Sequence, residues 1–188
     1  MDELMDTYLG ACYDFNLEMT PTAIGSSGES IAKAILEYFP IFKVVFLGEK
    51  NPITDFYVET IVETDDGLKI QYPFLVQIKT TTSALDDLGR LSVSVPTEKY
   101  KSLCANPLPT YVGGIHLEDL SLFVKPAFDN NAHVNTIPPI MVLRMADKRD
   151  CASKLLQIQR DVITYWEKLG IHDYKQGFVS LIRLTVSL

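Results

Sequence analysis

The sequence predicts an α/β fold, in which strands form a sheet and helices cover it. Between residues 42 and 125, several short segments alternate apolar and polar residues with the period of two that is typical of strands. Near both ends of the chain, apolar residues instead recur at helical spacing. The chain has 188 residues, of which 47% are apolar and 22% charged, enough for one domain with a substantial core. We therefore expect a single domain over residues 1–188, with its core at about 25–125 and a C-terminal helix and strand within 138–188.

The first clear helix signal follows a Gly-Ser-Ser-Gly run at residues 25–28. Ser26 or Ser27 is the expected N-cap, and Pro40 ends the pattern. Glu29 then lies in the first turn, where the positive end of the helix dipole favours an acid. Residues 1–20 mix acids with aromatic residues and predict no clear element. The apolar residues at helical spacing are Ile31, Ala34, Ile35 and Tyr38.

Two strands joined by a tight turn are predicted in the middle of the chain. Asp55 opens the first of them, in which residues 56, 58, 60 and 62 form the buried face. Asp65-Asp66-Gly67 is a strong hairpin signal, so the chain returns as a strand over Leu68–Thr81. Because a proline cannot donate a hydrogen bond to a neighbouring strand, we expect a bulge or an edge position at Pro73.

The end of this return strand carries a polar pair. Gln77 and Lys79 point to the same side of the strand, about 6–7 Å apart, while Ile78 faces the other side. Together with the carboxylate of Asp55 on the neighbouring strand, this amide and ammonium can hold a divalent metal and a phosphate. Taken one at a time, the same residues have a simpler interpretation, as polar groups on a half-solvated strand face or in a turn.

The other elements follow from the same local signals. The longest helix is expected over Asp147–Leu169, with Gly170 placed to end it and Leu155, Ile158, Val162, Trp166 and Leu169 on its apolar seam. The predicted loops are Ser83–Arg90 and Asp129–Pro139. The remaining predicted elements are strands at Phe42–Leu47, Leu91–Val95, Thr110–Leu117, Leu120–Val124 and Phe178–Leu188, and a short helix at Thr97–Cys104.

Charge and cysteine content restrict the class of function and the compartment. The net charge of −7 counts against nucleic-acid binding, which is usually driven by Lys and Arg at phosphates. A metal site needs carboxylates, however, and a bound cation reverses the local charge. Cys12, Cys104 and Cys151 are widely spaced and form no metal or disulfide pattern, so we expect a reducing cytoplasm. An acidic N-terminus without a basic region, and the lack of an apolar run of about 18 residues, predict no secretory signal and no membrane segment.

The set of Asp55, Gln77 and Lys79, after a helix that carries Glu29, resembles the PD-(D/E)xK nuclease superfamily in its D…QxK variant. Mrr-like enzymes and small prokaryotic defence-associated relatives share this form. The order of elements up to the strand Tyr111-Val112-Gly113-Gly114-Ile115 is also similar, so that the resemblance covers about residues 25–125. It implies a restriction-endonuclease-like fold, a mixed sheet flanked by helices.

The resemblance also implies a chemistry. Mg²⁺ or Mn²⁺ would be bound by Asp55, the side-chain oxygen of Gln77, the carbonyl oxygen of Ile78 and Glu29, while Lys79 would orient the attacking water and stabilise the charged transition state. The expected protein is a metal-dependent endonuclease that hydrolyses DNA, with DNA favoured over RNA. A link to restriction or antiphage defence, a homodimer, or a partner in a defence complex is implied in the same way.

One departure from the family pattern keeps an alternative open. Gln77 is neutral where most of the superfamily has Asp or Glu, so magnesium should bind more weakly. A catalytically inactive nuclease-like domain, acting as a binding subunit of a larger complex, is therefore the second hypothesis. Among the basic residues, Lys99, Lys101 and Lys125 are candidates for contacts with a phosphate backbone. A small-ligand-binding protein has no motif in its favour.

Overall fold

A computed structural model describes residues 20–48, 51–63, 65, 67, 69–127 and 134–170 of the chain. Three helices lie in these ranges: α1 (Pro21–Leu36), α2 (Thr97–Cys104) and α3 (Lys148–Lys168). The strands are β1 (Phe42–Phe46), β2 (Phe56–Glu63), β3 (Lys69–Thr81), β4 (Leu91–Val95), β5 (Thr110–His116), β6 (Ser121–Pro126), β7 (Val134–Ile137) and β8 (Val142–Leu143).

Six of these strands form one mixed sheet in the order β1-β2-β3-β5-β6-β8. The pair β3–β5 is parallel, and the other neighbouring pairs of this sheet are antiparallel. A parallel pair needs a long crossover connection, and here the crossover contains β4 and α2. The predicted α/β class is confirmed as a mixed sheet flanked by three helices.

The predicted hairpin of β2 and β3 is confirmed, with Phe56 opposite Val76. At Pro73 the register runs on without a shift, so the expected bulge is absent. Among the described residues no strand pairs with the other side of β3 at Pro73, because β5 begins opposite Leu75, so the proline occupies an edge position there. The carbonyl oxygen of Pro73 accepts a hydrogen bond from the indole nitrogen of Trp166 instead, at 2.9 Å.

The two faces of the sheet bury two separate apolar clusters. In the larger cluster, Val76 and Ile78 of β3 are buried together with apolar residues of α1 and α3. The smaller cluster lies around Tyr100 of α2 and the strands β4 and β7. Since side chains alternate along a strand, Gln77 and Lys79 of β3 face away from the larger cluster.

The start of α1 differs from the prediction. The helix begins at Pro21, with the Thr20 hydroxyl accepting a hydrogen bond from the amide of Ala23 at 3.2 Å, so a cap at Ser26 or Ser27 is wrong. Proline is favoured at the first position of a helix because its missing N–H has no partner there. Gly28 lies inside the helix, where a β-carbon would come within 1.8 Å of the Thr80 hydroxyl. The glycine thus lets α1 approach β3 closely.

Two smaller predictions about buried faces are corrected by the same packing. Ala32, and not Ala34, is buried on α1, because the helix turns the face of Gly28 toward the sheet. On α3 the seam of Leu155, Ile158, Val162 and Trp166 is buried as predicted. Leu169 is 49% exposed, since it follows the last turn of the helix.

The predicted loop before Pro139 contains a strand. The segment Val134–Ile137 forms β7, which pairs with β4 in a separate two-stranded sheet. The hydrogen bonds of this short strand come from β4, a segment distant in the sequence that the fold brings next to it. The strand expected at Phe178–Leu188 and the segment 1–19 lie outside the described residues. Within the described parts of the chain, each helix is too short or too polar to cross a bilayer.

Candidate functional site

All five residues of the predicted site line one cleft of about 300 Å³: Glu29, Asp55, Gln77, Ile78 and Lys79. Glu29 reaches it from α1, Asp55 from the residue before β2, and Gln77 and Lys79 from β3. Lys99 of α2 lines the same cleft. Three segments distant in the sequence, together with a short helix, therefore converge on one place at the end of the β2–β3 pair.

Asp55 is held by its backbone and by its side chain. Its amide donates to the carbonyl of Val76 at 3.0 Å, and its carbonyl accepts from the amide of Leu47 at 2.8 Å, which ties it to both neighbouring strands. Its Oδ2 accepts the amide N–H of Ile78 at 2.5 Å and also a hydrogen bond from Gln77 Nε2. The carboxylate is therefore fixed against the end of β3 and is only partly open to solvent.

The turn that precedes Asp55 is shaped by Asn51 and Pro52. The side-chain oxygen of Asn51 accepts hydrogen bonds from the amides of Ile53 at 3.0 Å and of Thr54 at 3.2 Å. Asparagine favours such turns because its side chain can bond to the backbone two residues on. Ile53 and Thr54, which separate Pro52 from Asp55, thus belong to a hydrogen-bonded turn that places Asp55 at the cleft.

Gln77 is buried, with 2% of its surface exposed. Its Nε2 donates to Asp55 Oδ2 and, at 2.9 Å, to the carbonyl oxygen of Ile78. Its Oε1 is buried and has no hydrogen-bond partner among the described residues. The simpler interpretation of Gln77, a polar residue on a half-solvated face, does not fit this burial. The amide end that faces Asp55 is the nitrogen, whereas the resemblance implied the oxygen.

Glu29 lies in the third turn of α1, because the helix begins at Pro21. The preference of a helix N-terminus for acids falls off within the first turn, so it does not explain this glutamate. Burial raises the pKa of Glu29, and the negative charge of Asp55 raises it further. Burial likewise raises the pKa of Asp55, although the amide of Ile78, Lys99, Lys79 and Gln77 act in the opposite direction. Two carboxyl groups thus share a site in which a cation would relieve both burial and repulsion.

Lys99 joins the site from α2. Burial lowers the pKa of Lys99, the charge of Lys79 lowers it further, and Asp55 offsets part of this effect. The sequence marked Lys99 only as one of three candidate phosphate contacts. Tyr100 and Leu103 bury the other face of α2 and so leave Lys99 turned to the cleft. Lys101 instead pairs with Glu98 at 2.9 Å in an exposed position.

A second cleft of about 520 Å³ adjoins the first. It shares Gly25, Glu29 and Asp55 with the first cleft and extends along Phe46 and Pro52. The two carboxylates therefore stand between two concave surfaces.

The donors at this place suit a hard divalent cation. Two carboxylates, one side-chain amide and one backbone carbonyl are oxygen ligands of the kind that Mg²⁺ and Mn²⁺ prefer. Burial raises the pKa values of both Glu29 and Asp55, and a cation beside them would favour their charged forms. Within the described residues, no group of three or more His, Cys, Asp or Glu side chains is arranged to hold a metal.

Comparison with known proteins gives no assignment for this site: no family model, no curated protein and no solved structure matches the chain. The described chain is an α/β protein with a six-stranded mixed sheet, three flanking helices and a polar cleft at the end of the β2–β3 pair.

Proposed function

We propose that this protein is a Mg²⁺- or Mn²⁺-dependent endonuclease that hydrolyses DNA phosphodiesters and has a restriction-endonuclease-like fold. The observation that carries the proposal is the convergence of Glu29, Asp55, Gln77, Lys79 and Lys99 on one cleft. Oxygen donors for a cation and ammonium groups for an anion lie side by side there. Phosphodiester hydrolysis needs both, because negative charge develops on the phosphate as water attacks.

In this proposal the cation would be held by Asp55, Glu29, Gln77 Oε1 and the Ile78 carbonyl. When bound, it supplies Lewis-acid stabilisation of the phosphate and a water of lowered pKa. Asp55 would position the ion, since hydrogen bonds to the backbone fix its carboxylate in advance. Glu29 would add the second negative charge from the helix side. Pre-positioned ligands of this kind reduce the reorganisation needed during the reaction.

The two lysines would act on the substrate. Lys79 would orient the attacking water and hold a phosphate oxygen, as the family resemblance implies. Lys99 would contact a phosphate from α2, which brings two ammonium groups to an otherwise acidic cleft. The net charge of −7 counts against nucleic-acid binding. The ammonium groups of Lys79 and Lys99 offset this locally, because short-range contacts in a cleft are less screened by salt than the overall field.

DNA rather than RNA, a homodimer and a role in restriction or antiphage defence belong to the same proposal. Their support is the D…QxK resemblance of Asp55, Gln77 and Lys79. Cutting both strands of a duplex is a task that two copies of such a cleft can share. If the protein acts as a single copy, a partner in a defence complex would instead take part in cutting the second strand.

Cleavage assays test the proposal directly. Purified protein is incubated with plasmid and with single- and double-stranded oligonucleotides in Mg²⁺, Mn²⁺ or EDTA. We expect cleavage that requires the cation and is lost in Asp55→Ala and in Lys79→Ala, with circular dichroism showing that both variants stay folded. Lys101→Ala is the matched control, because this lysine pairs with Glu98 on the surface. Cleavage that persists in both site variants would show that another site or a contaminant is responsible.

A second candidate function has one observation in its favour. The Nε2 of Gln77 bonds to Asp55 and to the Ile78 carbonyl, which satisfies these oxygens without a cation. A nuclease-like domain that binds nucleic acid or a partner without cutting would have such a site. Retarded migration of oligonucleotides, in the absence of cleavage at any cation concentration, would favour this candidate over the enzyme.

A further inference from the structure

The orientation of the Gln77 side chain follows from its neighbours. Asp55 Oδ2 and the carbonyl oxygen of Ile78 are both hydrogen-bond acceptors. An amide can face two acceptors only with its NH₂ group, since its oxygen carries no hydrogen. Gln77 Nε2 therefore bridges these two oxygens, and Oε1 points away from them.

The same two oxygens are those that the proposed function gives to the cation. The NH₂ group and the cation thus compete for one position. We infer that the Gln77 side-chain amide substitutes for the cation in the metal-free protein and turns over when a divalent cation binds, so that Oε1 replaces Nε2 beside Asp55. This inference rests on the proposed function, because it takes the cleft to be a cation site.

Simple electrostatics explains both orientations of the Gln77 amide, the one without a cation and the one with it. Without a cation, a turned amide would bring Oε1 against the oxygens of Asp55 and Ile78, and three electron-rich atoms would repel one another. With a cation between them, the same three oxygens become ligands. With Nε2 toward Asp55, Oε1 is buried and has no hydrogen-bond partner among the described residues. Turning gives this oxygen a strong partner, which is part of the driving force.

The amide also determines how many negative charges meet at this end of the cleft. Gln77 Nε2 donates a hydrogen bond to Asp55, and Glu29 lines the same cleft. A carboxylate in place of the amide would remove this donor and add a third negative charge. Gln77→Glu is therefore expected to unfold at a lower temperature than the wild type in EDTA. It is expected to bind Mn²⁺ more tightly by about tenfold or more, because the ion gains a full charge and displaces no amide.

Nuclear magnetic resonance of the full chain, labelled with ¹⁵N and ¹³C, follows the amide itself. The side-chain NH₂ pair of Gln77 is assigned by through-bond experiments, so that no variant has to fold. Without a cation we expect this pair to exchange slowly with solvent, because it donates to two acceptors that it gives up on turning. During a Mg²⁺ titration its resonances should move and its exchange should accelerate at the same concentration at which calorimetry detects binding. The side-chain pair of Gln157, which donates to Asp161 on the exposed face of α3, should not respond.

The outcomes separate this inference from the proposed function. If Mg²⁺ binds and the Gln77 pair keeps its shift and its slow exchange, the amide does not turn and the inference is wrong, while the nuclease proposal stands. If the pair responds but DNA is never cleaved, the inference holds and the nuclease proposal fails. If neither Mg²⁺ nor Mn²⁺ binds to the wild type or to Gln77→Glu, both are refuted together.

Discussion

Replacing Gly28 by alanine tests the approach of α1 to the sheet, and with it the assembly of the site. A β-carbon at residue 28 would lie 1.8 Å from the hydroxyl oxygen of Thr80 and 2.7 Å from its Cβ and Cγ2. Rotation of the threonine side chain moves its hydroxyl and methyl groups but leaves its Cβ in place, so the helix itself must shift. Overpacking costs about 1–3 kcal/mol in proteins, and contacts this short belong to the upper part of that range. Since alanine favours a helix over glycine by about 1 kcal/mol, the net loss should be about 1–2 kcal/mol.

Gly25 provides a matched control in the same helix. A β-carbon there meets nothing within 4 Å, so Gly25→Ala should gain about 0.5–1 kcal/mol of stability through helix propensity. Urea unfolding of both variants measures the difference, which should be about 1.5–3 kcal/mol. Mn²⁺ affinity should also fall in Gly28→Ala, because the shift moves the neighbouring Glu29. If Gly28→Ala is as stable as Gly25→Ala, the close packing of α1 on β3 is refuted.

Three further predictions follow from the contacts of the site and of α3. Lys99→Ala should lower kcat/KM for DNA cleavage by roughly 10- to 100-fold, the size of a lost charged hydrogen bond, while Lys101→Ala should leave it unchanged; equal effects would refute a role for Lys99. The pKa values of Asp55 and Glu29 are raised on folding, so the stability that their protonation contributes is present below their unfolded pKa values and is lost as the pH rises through the folded ones. In EDTA, Glu29→Gln should therefore be more stable than the wild type near neutral pH and lose this advantage in acid; an advantage independent of pH would contradict the shift. Trp166→Phe should lower the unfolding free energy by about 1–3 kcal/mol, because a buried carbonyl of β3 loses its donor, and an unchanged urea midpoint would argue against that hydrogen bond.

Local sequence signals predicted much of the fold. The hairpin of β2 and β3 was predictable because strand alternation and a Gly-containing turn act within a few residues. The helix α3 was predictable for a similar reason, since Asp147 caps it and its apolar residues repeat at helical spacing. The hairpin then places Asp55 next to Gln77, which is why part of the candidate site could be read from the order of residues alone.

Contacts between distant segments decided the rest. Helix α1 begins at Pro21, earlier than predicted. Gly28 lies in its interior because Thr80 of β3 occupies the space that a side chain would need. The segment Val134–Ile137 forms the strand β7 because it pairs with β4. Lys99 reaches the cleft because the apolar face of α2 is packed elsewhere. Residue types and periodicity thus set the local elements and the candidate donors, whereas the orientation of the Gln77 amide, with its nitrogen toward Asp55, depended on which acceptors the tertiary structure brought within reach.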